Sequence, residues 1–250
     1  MSKTITLFGR LMKHITRSPD TIITVCITPI GIMLMFVYVM GGAVKTSLPA
    51  GMNYVSYLLP GILLITIASG TAYTTVRLFS DVATGLFSRF NSMPIKRSAM
   101  LWSHVMTSVV SNLISVVIVI LVALTMGFRS SAGPLAWLAV AGLVMLFTLT
   151  LTWIAVIPGL VAKTVDGAGV YAYPLIFLPF ISSAFVPTAT MPAAVRAFAE
   201  NQPVTSIVNT IRALLMRATI GSEIWVALAW CIGIMAVAYV FAMRIYRRRV

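Results

Sequence analysis

Apolar residues in this chain come in long unbroken runs, and the charges fall between them. Six stretches contain no Asp, Glu, Lys or Arg: 21–44, 46–76, 98–128, 130–162, 167–195 and 224–243. Each reaches the roughly 20 mostly apolar residues that an α-helix needs to cross a bilayer. Flanking polar residues, prolines and glycines trim them to expected spans over 22–42, 55–76, 101–127, 134–162, 169–187 and 224–243. The alternating segments of about ten residues that mark a membrane β-barrel do not occur. The pattern therefore predicts one all-α integral membrane domain over 1–250 with six transmembrane helices.

Between these runs lie stretches with a different period. From Phe79 to Met93, a helical wheel puts Phe79, Val82, Ala83, Leu86, Phe87, Phe90 and Met93 on one arc. Asp81, Thr84, Gly85, Ser88, Arg89, Asn91 and Ser92 fall on the other. At about 15 residues the stretch is too short to cross hydrocarbon, and Pro94 ends it by disfavouring helix in the residue before it. It predicts a short amphipathic helix between the second and third spans, either resting on headgroups or docking on another protein. Residues 1–20 predict a second one. Phe8 and Leu11 share an apolar arc with Ile5, Leu7, Met12 and Ile15, while Arg10, Lys13 and Arg17 share a basic arc with Lys3 and His14. That division suits a helix lying in an anionic headgroup layer. A signal peptide fits poorly, because the following apolar run exceeds the usual 7–15 residues of a signal core. Between the fifth and sixth spans, Ala193–Ala199 and Val204–Met216 also read as helices, lying on the outer surface or dipping in as a re-entrant pair buried against protein.

Composition agrees with the pattern: 60% of residues are hydrophobic, 9% are charged and the mean hydropathy is +1.01. The net charge of +13 points to nucleic acid only if the cations share one surface, and here they sort by loop. With the N-terminus inside, thirteen fall on the cytoplasmic side, namely Lys3, Arg10, Lys13, Arg17, Arg77, Arg89, Lys96, Arg97, Lys163, Arg244, Arg247, Arg248 and Arg249. Five fall outside: Lys45, Arg129, Arg196, Arg212 and Arg217. That asymmetry follows the positive-inside rule. It predicts a multi-pass membrane protein with both termini cytoplasmic, and it puts Phe79–Met93 in the cytoplasm.

The chemistry-bearing residues predict no catalytic, metal or cofactor site. All five carboxylates, Asp20, Asp81, Asp166, Glu200 and Glu223, lie in loops, at span ends or on the amphipathic stretch. Cys26 and Cys231 sit in different spans without metal-ligand spacing. Two Lys-Thr pairs, Lys45-Thr46 and Lys163-Thr164, lack the glycine before lysine and the strand context of a phosphate loop. An ion-driven transporter normally carries acids within the membrane, whereas these spans hold none. His104, near the cytoplasmic edge of the third span, reads as a hydrogen-bonded interfacial histidine, with a proton relay as the alternative. Pro174 and Pro179 predict a kinked or broken fifth span. No substrate path is assignable from these residues.

The run Asp81-Val-Ala-Thr-Gly85-Leu-Phe-Ser-Arg89-Phe-Asn-Ser-Met-Pro94-Ile95 resembles the cytoplasmic loop of ABC-2-type transporter permeases, in particular the daunorubicin/doxorubicin-resistance group. Tyr57-Leu-Leu-Pro60-Gly61-Ile, Phe185-Val-Pro187, Met191-Pro192, Asn201-Gln-Pro203-Val-Thr205 and Arg212-Ala-Leu-Leu are similar to that group as well. The resemblance implies a six-span permease of a bacterial or archaeal-type plasma membrane that homodimerises and binds two copies of a separate ABC ATPase, with no ATP hydrolysis of its own. It implies that Asp81, Val82, Gly85, Leu86, Phe87, Arg89, Phe90, Met93 and Pro94 belong to the helix that couples to the ATPase, and that Phe8, Arg10, Leu11, Lys13 and Arg17 belong to an interfacial elbow. Asp81 stands alone where many members have a Glu-rich loop. The implied cargo is an amphipathic drug, antibiotic or lipid-like compound. A lipid-linked glycan or other envelope component is the alternative, and an intramembrane enzyme or sensor the more distant one.

Overall fold

A computed structural model describes residues 20–44, 52–85, 98–219 and 221–249, and every regular element among them is helical. The interfacial elbow, with Phe8, Arg10, Leu11, Lys13 and Arg17, lies outside the described residues. So do Leu86, Phe87, Arg89, Phe90, Met93 and Pro94 of the coupling stretch.

Helix α1 is Asp20–Met35 and runs on through a π-helical turn, Phe36–Met40, and a last α turn, Gly41–Val44. Helix α2 is Tyr54–Ala83, α3 Ser98–Thr125 and α4 Pro134–Val161. After Ala162 the chain forms two short helices, α5 (Val165–Val170) and α6 (Ala172–Phe177), and a 3-10 turn, Leu178–Ile181. Helices α7 (Ala193–Asn201) and α8 (Pro203–Met216) follow, and α9 (Glu223–Arg249) closes the chain. Five helices are long and apolar enough to cross a membrane: Ile22–Met40, Tyr54–Ala83, Met100–Thr125, Pro134–Val161 and Glu223–Arg248.

Helix α2 is the hub. In its most apolar stretch 89% of residues are buried inside the protein, against 22% in α1 and in α9. It packs against α1, α3, α4, α5, α6 and α8, and its Leu58, Leu59, Ile62, Leu63, Leu64, Ile65 and Ile67 form the centre of the main core. The outer helices leave Tyr38, Leu121, Leu138, Trp225 and Phe241 exposed, as apolar side chains facing lipid require. A second, smaller core gathers Leu78, Leu101, Trp153, Leu160 and Tyr246 at the end where α2 terminates.

The stretch expected as the fifth span, 169–187, forms a broken segment rather than one helix. Proline has no N–H and its ring clashes with the preceding turn, so Pro174 and Pro179 interrupt the ladder and a 3-10 turn replaces its last part. The segment nevertheless runs beside α2 in the opposite direction. Gly169 lies against Val76, the Tyr171 hydroxyl donates to the Thr71 carbonyl (2.9 Å), Ala184 abuts Gly61, and the Tyr54 hydroxyl donates to the Phe185 carbonyl (3.3 Å). From Val76 to Tyr54 is about 33 Å along a helix at 1.5 Å per residue, which matches the depth of a bilayer core.

Two expected boundaries are corrected. Helix α2 does not stop near Thr75 and Val76 but continues to Ala83, so Phe79, Asp81 and Val82 are its last turn and a half. Of the amphipathic stretch expected over Phe79–Met93, the described part belongs to the end of α2: Thr84 caps that helix and Gly85 adopts a left-handed φ of +69°. Glycine takes that conformation without the Cβ clash that other residues suffer. Helix α9 likewise continues past the expected 243 through the basic residues to Arg249. Arg77, Asp81 and Arg244 therefore lie inside helices whose hydrogen-bond ladders run on past them.

Candidate functional site

A groove of about 650 Å³ lies between α1, α2 and the broken segment. One wall carries Thr24, Thr28 and Ile32 of α1, another Ser69, Ala72, Tyr73 and Val76 of α2, and the third Tyr173, Ile176, Phe177 and Phe180. Asp166 stands at the end nearer the α2–α3 loop. At the opposite end Phe180 lines it and stacks on Phe185 at 4.6 Å, and Phe36 tilts against Phe185 at 4.7 Å. The Ser69 hydroxyl is buried in the α2 wall with no hydrogen-bond partner among the described residues. Aromatic and aliphatic walls with a few hydroxyls suit a molecule with a large apolar face and a polar edge.

Behind the groove, α2 is tied to its neighbours by polar contacts inside the apolar packing. The Thr74 and Ser108 hydroxyls lie 2.6 Å apart, and Ser108 lies 3.3 Å from the Thr152 hydroxyl of α4. The Asn112 amide donates to the Ser108 carbonyl (3.0 Å), and Thr75 donates to the Ala155 carbonyl (2.9 Å). Gly70 makes room for Asn112, and Gly159 does so for Leu78. At the end of α2 the Asp81 carboxylate lies 3.1 Å from Nε2 of His104 on α3. The imidazole is buried, and Nε2 makes no aligned hydrogen bond with any described residue, Asp81 included, although the carboxylate stands beside it.

At the opposite end α8 supplies a cation that sequence reading placed only among outer charges. Arg212 donates to the Tyr57 carbonyl from Nη2 (3.0 Å) and Nε (3.3 Å), to the Ser183 carbonyl from Nη2 (2.8 Å), and to Asn209 Oδ1 from Nη1 (3.0 Å). The guanidinium also sits 3.8 Å above the Tyr57 ring, a cation–π contact. Burial pushes its pKa down from the usual value, and the nearby Tyr57 and Glu223 oppose that shift. Arginine stays charged even so. Its planar fork thus joins the start of α2, the end of the broken segment and α8. Val204, Ile207, Val208, Ile211, Leu214 and Leu215 bury the other face of α8, which makes it a helix packed into protein and not a surface loop.

Of the expected coupling residues, Asp81, Val82 and Gly85 are described. Asp81 turns towards His104, Val82 packs on the smaller core and Gly85 forms the turn that ends α2. His104 and Asp81 were each legible as unusual, but their pairing required knowing that α2 continues past Arg77. The groove was signalled only by the two prolines and the aromatics of the fifth span.

The ABC-2 type transporter family model matches residues 2–216. The chain is 29% identical over 256 residues to the daunorubicin resistance ABC transporter permease protein DrrB1 of Streptomyces coeruleorubidus, across 100% of this chain and 87% of that protein. It is 25% identical over 252 residues to the probable doxorubicin resistance ABC transporter permease protein DrrC of Mycobacterium tuberculosis H37Rv, across 99% of this chain and 89% of that one. The apolar spans, the broken fifth segment beside a buried second helix and the match over most of the chain lead to one conclusion: this chain belongs to the ABC-2 type transporter family.

Proposed function

We propose that this chain is the membrane-spanning permease of an ATP-driven exporter, moved by a separate ABC ATPase that grips the loop between α2 and α3. The cargo is an amphipathic, drug-like or lipid-like molecule carried in the groove beside α2. Similarity to permeases named for daunorubicin and doxorubicin resistance supports that class. In this reading the chain crosses a bacterial-type cell membrane six times, the broken segment supplying the fifth crossing. Both termini and the α2–α3 loop face the cytoplasm, and two copies of the permease bind two ATPases.

One observation carries the reading. Helix α2 lines the groove with Ser69, Ala72, Tyr73 and Val76 and continues unbroken to Ala83, at the entrance to the loop. A push on the loop therefore reaches the groove wall through about 10–20 Å of the same helix. A helix long enough to cross and then to protrude is suited to carry force out of the membrane.

Replacing Leu86 and Phe90 by Asp (L86D/F90D) tests this directly. An apolar docking face given two carboxylates loses desolvated contacts of the hot-spot kind, so recovery of the ATPase with the permease is expected to fall about tenfold or more. Efflux of doxorubicin, used as the fluorescent probe, falls with it. Unchanged ATPase recovery together with unchanged efflux contradicts the proposal.

A further inference from the structure

The two stems of the α2–α3 loop are joined by one ionisable pair. Asp81 lies in the last turn of α2, four residues before Gly85, and His104 lies in the second turn of α3. Their 3.1 Å contact has a buried partner, His104 (1% side-chain exposure), and a part-exposed one, Asp81 (23%). Burying an imidazole in an apolar helix packing is costly unless a polar partner offsets it. Asp81 is the carboxylate that stands beside it among the described residues, close enough to bond once the imidazole and carboxylate align. The face of α3 that carries His104 continues one turn on to Ser108 and two turns on to Asn112. Ser108 contacts Thr74 of α2 and Thr152 of α4. Side chains four apart lie on one helix face, so the pair is the loop-end rung of a polar ladder joining three helices.

We propose that the Asp81–His104 pair is a latch that makes α2 and α3 move as one body when the loop between them is pushed. His104 is then a positioning residue for transport, and this role rests on the loop-driven reading above. Without the latch, α2 would follow the loop while α3, and with it α4, would lag behind.

The test uses the full chain in complex with its co-purified ATPase, in nanodiscs of phosphatidylethanolamine and phosphatidylglycerol, with the buried Cys26 and Cys231 replaced by Ala. Two spin-label pairs report motion against the broken segment: S80C/I181C for α2 and M106C/I181C for α3, all at exposed positions. Pulsed electron paramagnetic resonance measures both distances before and after trapping with ATP and vanadate. The unsubstituted chain is expected to change both distances. H104L and D81N are expected to keep the α2 change and to reduce the α3 change by about twofold or more, and the swapped variant D81H/H104D to restore it, as coupled residues do. H104Q, which keeps a donor facing Asp81, guards against a folding defect and should retain most of the α3 change. If H104L and D81N move α3 as far as the unsubstituted chain does, the latch is overturned and the loop reading stands. If neither distance changes in the unsubstituted complex, the loop reading fails and the latch fails with it.

Discussion

Small side chains decide how closely α2 is approached. A methyl group added at Gly61 would overlap the Ala184 side chain, and the neighbouring atoms there belong to the backbone of the broken segment. Overpacking of a well-filled site costs about 1–3 kcal/mol. Gly61→Val is therefore expected to lower the thermal unfolding midpoint of the detergent-solubilised protein. Gly142→Val, where added atoms meet nothing within 4 Å, is expected to stay within about 0.5 kcal/mol; equal losses for the two would contradict the close approach. Residues of this kind were only partly legible. Pro60-Gly61 stood out as a pair, but its partner Ala184 lies more than a hundred positions away. Arg212 was read as one of five outer charges, because a sequence shows a cation and not the three carbonyl and amide oxygens that receive it. The same holds for His104, read as a hydrogen-bonded interfacial histidine: it is buried beside Asp81, a neighbour that spacing alone did not reveal.

Among elements, those with sharp chemical stops were read almost to the residue. Ala193–Ala199 and Val204–Met216 correspond to the observed Ala193–Asn201 and Pro203–Met216, since Pro192 and Gln202-Pro203 interrupt the chain and one apolar face is present in each. The end of α2 was read too early because charge was taken for a terminus. Hydrophobicity reports the depth of the membrane, whereas helix ends are set by caps such as Thr84 and Gly85. The break in the fifth span was expected from Pro174 and Pro179, though not its division into two short helices and a 3-10 turn. If the prolines cause the break, P174A/P179A supplies two further backbone donors and extends the ladder. Amide hydrogen exchange across 172–182 is then expected to slow by about tenfold, the equivalent of about 1.4 kcal/mol of local opening. Unaltered exchange there would mean that packing against α2, and not proline, shapes the segment.

At the scale of the molecule, the parts divide between a buried hub and the surfaces around it. Helix α2 touches nearly every other helix, forms one wall of the groove and leads into the loop that the account treats as its input. Arg212 fixes its far end, and the Asp81–His104 pair fixes its near end to α3. The class of the fold was legible at once from six charge-free runs, while the centrality of the second of them was not, because its hydropathy is the lowest of the five long helices. The hydroxyls and glycines that lower it are what let neighbours pack and bond against it.

All of this depends on the α2–α3 loop facing the compartment that holds ATP. A cysteine placed at Ser88, in a chain whose own Cys26 and Cys231 are buried, can be challenged with a membrane-impermeant maleimide. The account predicts labelling in inside-out vesicles and none from outside intact cells; labelling from outside intact cells would contradict it.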